Sequence, residues 1–215
     1  MNRAGPAVAV MAATMMLFQH GAAAKPLTNY VHYLIVGSSP EGLYRSMISN
    51  GPLVGGGKAY ASTRMDPKVT ATTVATRDSC RIDKFQLDMT FTIKLPQLKD
   101  ASSLDASSRA IFDKFYEFAK KHEEGHRSIW LACAEEAEAL AVEVTAKTCG
   151  EAETKALSIV DEVAKRCDLK HAAYDAGEKA KLFNHPFIKQ VILKQQHIPL
   201  VPLKQTADTP KSVTD

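Results

Sequence analysis

Apolar and polar residues alternate without a break from Phe85 to Leu95. Phe85, Leu87, Met89, Phe91, Ile93 and Leu95 fall on one side; Gln86, Asp88, Thr90, Thr92 and Lys94 fall on the other. A period of two predicts a strand with one buried and one wet face, ended by Pro96. Ahead of it, Tyr30 to Val36 predicts a short strand stopping at Gly37-Ser38-Ser39-Pro40. Glu41 to Ile48 predicts a short helix, ended by Asn50-Gly51-Pro52. Ala59 to Arg64 and Val69 to Thr76 are rich in Thr, Val and Ala and predict two further strands. Gly55-Gly56-Gly57 lacks the Lys-Ser/Thr ending of a phosphate loop and the spacing of a dinucleotide loop, so it reads as a turn.

The period then changes. From Ser107 to Lys147, Ile111, Phe115, Phe118, Ile129, Ala132, Cys133 and Leu140 recur at helical spacing, with Ser107 or Ser108 as the cap. Thr148-Cys149-Gly150 breaks the pattern, and Gly150 suits the left-handed position after a helix end. A second helix is predicted from Glu151 to Phe183, followed by a short apolar stretch, Phe187 to Leu193. Strands followed by helices predict an α+β fold. Residues 25–203 form one domain in this reading. A small antiparallel sheet occupies residues 25–100, and a long antiparallel two-helix hairpin residues 105–185. The polar tail, residues 204–215, lacks aromatics and is expected to be disordered.

Composition adds location and removes some partners. Residues 1–24 read as a signal peptide: Arg3, an uncharged apolar run from Ala7 to Phe18, then Ala22-Ala23-Ala24 as cleavage pattern. The run is too short to span a bilayer comfortably, and no later stretch approaches a span, so no membrane anchor is expected after cleavage. A periplasmic or secreted protein follows. The formal net charge of +3 favours no partner, and no basic run interleaved with aromatics points to nucleic acid. Cys80, Cys133, Cys149 and Cys167 form no C-x-x-C pair; in an exported chain they predict disulfides.

The chemistry concentrates in His122-Glu123-Glu124-Gly125-His126. Four residues apart on a helix, two imidazoles stand one turn apart on one face and can share a zinc ion. Glu123 lies about 100° round the helix, beside the metal, where it can take a proton from activated water and pass it to a leaving amine. This is the H-E-x-x-H pattern of zinc peptidases. Positions 129 and 132 are Ile and Ala, so the third histidine of the extended metzincin pattern is absent and the third ligand comes from elsewhere.

The hairpin narrows where. Residues equidistant from Gly150 lie level: Cys133 with Cys167, His126 with Tyr174, His122 with Glu178. Cys133–Cys167 is then a clamp between the helices, leaving Cys80–Cys149 to tie the turn to the sheet. Cys149 with Cys167 is the harder pairing, most of a helix apart. The face of the second helix that carries Cys167 also carries Tyr174, Glu178 and His171. Glu178 is the first choice for third ligand, His171 the second and Asp175 the third; Asp175 has the alternative role of fixing the tautomer of His122 or His126 through its far nitrogen. Tyr174 is a candidate donor to an oxyanion, or a packed interhelical tyrosine. His32, His185 and His197 read as solvent-facing or packing residues, and Trp130 as core.

On His122–Arg127, Tyr174-Asp175, the stretch from Leu43 to Asn50-Gly51-Pro52, and Lys94-Leu95-Pro96, the sequence resembles the bacterial predicted secreted zinc-dependent protease family, a family of uncharacterised function in the zincin superfamily. The resemblance implies a zincin-like fold, a bound Zn2+ and hydrolysis of peptide or protein substrates. Where the family pattern continues with Thr and then His-Gly, this chain has Glu178, Ala180 and Lys181. The expectation is therefore a zinc peptidase with Glu123 as general base. The alternative is a catalytically impaired envelope protein of the same fold that binds metal or a partner.

Overall fold

The computed structural model describes residues 26–194. The expected signal peptide, the tail and His197 lie outside them. Strand β1 (Leu27–Ile35) leads through helix α1 (Pro40–Asn50) and a small hairpin, β2 (Leu53–Val54) with β3 (Gly57–Lys58), to β4 (Ser62–Ala75) and β5 (Cys80–Leu98). Helix α2 (Ala106–Ala141), strand β6 (Thr145–Ala146), helix α3 (Cys149–Asn184) and helix α4 (Pro186–Lys194) follow. The architecture is α+β, with a mixed sheet and four helices.

The sheet corrects the expectation of a purely antiparallel one. β5 is central, with β4 and β6 antiparallel to it and β1 parallel. A parallel pair needs a long crossover, and α1, the small hairpin and β4 supply it. The triple glycine is the turn between β2 and β3, with Gly55 at φ 55° and Gly56 at φ 81°. β4 is one strand where two were expected. Pro67 is tolerated inside it because β4 is an edge strand, and the register slips only at Thr72/Thr73. Pro96 likewise does not end β5: it pairs with Tyr33 in β1, while β4 has already ended opposite Lys94.

The alternation along β5 buries Phe91, Ile93 and Leu95 against the helices. Phe91 and Met89 pack with Trp130, Cys133 and Cys167; Ile93 and Leu95 pack with Ala119. Asp105, not Ser107 or Ser108, caps α2: its carboxylate accepts from both serine amides. α2 stops at Ala141, six residues before the expected end, because the chain rich in β-branched residues at Val142, Val144 and Thr145 runs into β6, where Thr145 pairs with Arg81 and Ala146 with Cys80. Gly150 lies inside α3 rather than after α2; Thr148 caps α3 by accepting from the Glu151 amide. The disulfides are Cys80–Cys149 and Cys133–Cys167. The first fastens the start of α3 to the sheet and the second joins the last quarter of α2 to the middle of α3, the two helices running antiparallel. Among the described residues no helix is long and apolar enough to cross a membrane.

Candidate metal centre

On α2, one helical stripe carries His122, His126, Trp130 and Cys133, each about one turn from the next. All four are buried because this stripe faces β5 and α3. On α3 the facing stripe is Cys167, His171 and Asp175, again one turn apart. The Cys133–Cys167 bridge sets the two stripes in register. Between them, His122 Nε2, His126 Nε2 and Asp175 Oδ1 converge: the two nitrogens lie 3.1 Å apart, and the carboxylate oxygen is 3.2 Å from the first and 2.9 Å from the second.

The chemistry of this trio suits a cation. Asp175 Oδ1 is buried and, despite those short separations, makes no hydrogen bond of good geometry with any of the described residues. Buried carboxylate oxygens ordinarily have a donor. Three lone-pair atoms about 3 Å apart match tetrahedral coordination, where bonds near 2.0–2.1 Å set ligand atoms roughly 3.3 Å apart. They are the one group of three among the described residues whose atoms are so placed. Burial pushes the Asp175 carboxyl up, but the facing imidazoles of His122 and His126 outweigh it and hold it below the usual carboxylate value. It is therefore anionic at neutral pH, as a ligand must be.

The surroundings are specific. His126 Nδ1 is 2.8 Å from His171 Nδ1. Burial first, and then the neighbouring His126, push His171 down to about 4, so its ring is neutral at pH 7. Tyr174 stacks on His122 with centroids 5.1 Å apart and meets His126 edge-on at the same distance. Its hydroxyl packs over Gly125, where a Cβ would collide with it. Burial, and after it the carboxylates of Glu178, Glu123 and Asp175, push the phenol up to about 12; it stays an O–H donor. Glu123 is fully buried beside the trio. Thr63 of β4 donates its hydroxyl to Glu123 Oε2 at 2.8 Å and lies 3.0 Å from the Glu123 carbonyl. An apolar pocket lined by Tyr60, Phe115, Phe118 and Leu182 reaches His122 and Glu123.

The residues named from sequence thus divide. His122, Glu123, His126, His171, Tyr174 and Asp175 come together. Glu178 does not join the trio; it pairs with Lys181 one turn on. Among the described residues the ligand atoms that converge are those of His122, His126 and Asp175. His32 is exposed and faces Tyr116, and His185 packs on Phe115 and Phe118. Sequence reasoning missed Thr63, whose position sixty residues upstream carries no local signal. It also missed the need for Gly125, although a glycine inside a strongly helical run is itself a signal of close packing.

Fold and site define an α+β protein with a candidate metal centre buried between two disulfide-joined helices. Residues 30–181 match the model of a bacterial protein family of unknown function, DUF922, and the chain belongs to that family. Comparison with curated proteins and with solved structures finds no significant match.

Proposed function

We propose that this protein is an extracytoplasmic zinc peptidase of zincin-like construction, in which His122, His126 and Asp175 hold the metal. The observation that carries the reading is the convergence of those three ligand atoms one residue from a buried glutamate. Two imidazoles and one carboxylate form a donor set used by catalytic zinc, with the fourth position left for water or substrate. Zinc, when bound, supplies a Lewis acid that polarises a carbonyl and makes water acidic near neutral pH. Glu123 accepts the proton of the attacking water and returns it to the leaving amine. Thr63 orients the Glu123 carboxylate through Oε2. Tyr174 packs the histidines, and its protonated phenol is a donor for the oxyanion that forms at the scissile carbonyl. Two disulfides and the leader-like first 24 residues support a periplasmic or secreted location.

The test is direct. Purified protein is expected to hold one zinc per chain by elemental analysis and to cleave members of a broad peptide library. Glu123→Gln is expected to keep the zinc and lose the cleavage. A metal-free protein from zinc-replete cells would sink the reading. The second reading is an impaired, metal- or partner-binding envelope protein. It is favoured by the complete burial of Glu123 and by Glu178, Ala180 and Lys181 standing where the resembling family continues Thr and His-Gly. Zinc bound without hydrolysis of any library peptide selects it.

A further inference from the structure

We infer that His171 is a positioning residue for this centre: it accepts the Nδ1 proton of His126 and so commits His126 Nε2 to the metal. The inference rests on the metal-binding part of the reading above, not on peptidase activity. Two imidazole nitrogens 2.8 Å apart, in rings both buried, share a single proton between them. Placed on His171, that proton obliges neutral His126 to carry its own on Nε2, and the lone pair facing Asp175 and His122 is lost. Placed on His126, it leaves Nε2 as a free donor atom toward the trio.

The second arrangement is closed at its far end as well. Neutral His171 then keeps its proton on Nε2, and that atom lies 3.8 Å from Cys167 Sγ, a weak acceptor. One proton path therefore runs from the disulfide sulfur through both rings of His171 and His126, and every nitrogen along it has a place. The ring of His171 is held for the task. Its plane lies within 27° of that of His126, with centroids 5.0 Å apart, as a bond between the two ring edges requires, and Trp130 packs on it at 4.6 Å. His122 is supported differently. Its buried Nδ1 has no hydrogen-bond partner among the described residues, and the stacked ring of Tyr174 fixes its plane instead. Of the two histidines, only His126 has its tautomer set by another side chain.

The test uses the full chain and zinc alone. Zinc affinity is measured by competition with a chromophoric chelator for wild type, His171→Phe and His171→Asn. Nitrogen-edited NMR of the zinc-loaded wild type reads which His126 nitrogen carries the proton. His171→Phe is expected to lose about 10–100-fold in affinity, the usual effect of removing a ligand's hydrogen-bond partner. His171→Asn is expected to recover most of it, because the amide oxygen takes the place of Nδ1 as acceptor. Zinc-loaded His126 is expected to be protonated at Nδ1. Wild-type affinity in His171→Phe, no recovery in His171→Asn, or ligation of His126 through Nδ1 overturns the inference while leaving the metal site standing. If His171→Phe does not fold, the His126 tautomer in wild type decides alone. A wild type that takes up no zinc overturns the metal reading, and this inference with it.

Discussion

The hydroxyl of Tyr174 occupies the space in which a side chain on residue 125 would begin. That contact explains a glycine in the middle of a 36-residue helix, where it costs about 1 kcal/mol relative to alanine. Gly125→Ala is expected to regain that propensity and to push the Tyr174 ring off both histidines, for a net loss of up to about 2 kcal/mol by overpacking. Gly177 is the control: it is helical and exposed, with open space where a Cβ would go. Gly177→Ala is expected to stabilise by up to about 1 kcal/mol. Denaturant melts read both, and a zinc titration is expected to show weakened affinity only for Gly125→Ala.

The choice of third ligand separates two carboxylates three residues apart. Asp175→Asn removes the charge of an oxygen that lies 2.9 and 3.2 Å from the histidine nitrogens, and on the proposed reading is expected to weaken zinc by more than the ~10–100-fold typical of outer partners. Glu178→Gln breaks the pair with the exposed Lys181 and removes a charge near Tyr174, but takes no atom from the trio, and is expected to change zinc affinity less than about threefold. Chelator competition on both variants decides. A reversed order would move the ligand to Glu178.

These two residues also mark how far the sequence carries. The cysteine pairings were readable because Cys133 and Cys167 stand level in any antiparallel hairpin centred near Gly150, which leaves Cys80 for Cys149. His122 and His126 were readable because helical periodicity puts residues four apart on one face, with Glu123 about 100° round from it. Choosing among His171, Asp175 and Glu178 required sub-turn accuracy, since one residue moves a side chain about 100° round and 1.5 Å along. Straight, parallel axes do not supply it. The parallel β1–β5 pair was unreadable for another reason: alternation sets which face a residue takes, not the direction of the neighbouring strand. Thr63 needed both the sheet register and the way α2 lies on it.

Thr63 reaches across from the edge strand to the carboxylate of Glu123, so it is expected to act on turnover rather than on metal. Thr63→Val keeps the shape and removes a donor to a charged group, worth about 1.5–3 kcal/mol. Zinc content is expected to remain at one per chain while kcat falls roughly tenfold or more, the equivalent of about 1.4 kcal/mol. Equal kcat in Thr63→Val and wild type would free Glu123 of this partner.

The disulfides close loops of 69 and 34 residues. Chain entropy alone assigns them about 4 kcal/mol each, within the usual range of 2–5 for native bridges. Cys133→Ala with Cys167→Ala is expected to lower stability by about that amount and also to weaken zinc, because the bridge holds the two stripes level. Cys80→Ala with Cys149→Ala is expected to lower stability similarly and to leave zinc affinity nearly unchanged, since it fastens the far end of α3. Unfolding curves and zinc titrations on the two double variants separate these effects.

His185 gives the metal-free protein an acid-sensitive element away from the centre. Its Nδ1 accepts from the Phe187 amide at 3.2 Å, and its ring packs against Phe115 and Phe118. Burial pushes its pKa below the ordinary 6.5, against the pull of the Lys114 carbonyl. Between the lowered folded value and 6.5, the unfolded chain binds more protons than the folded one, so stability rises with pH. The contribution is complete above about pH 6.5 and is lost as pH falls from there toward the folded value. A protonated Nδ1 would also face the Phe187 N–H donor to donor. His185→Gln keeps an acceptor and removes the titration. In zinc-free samples, wild type is expected to lose stability more steeply than His185→Gln as pH is lowered from 7 to 5, with the two curves running parallel above 7. Urea melts across that range measure it, and parallel curves throughout would show that His185 titrates alike in the folded and unfolded chains.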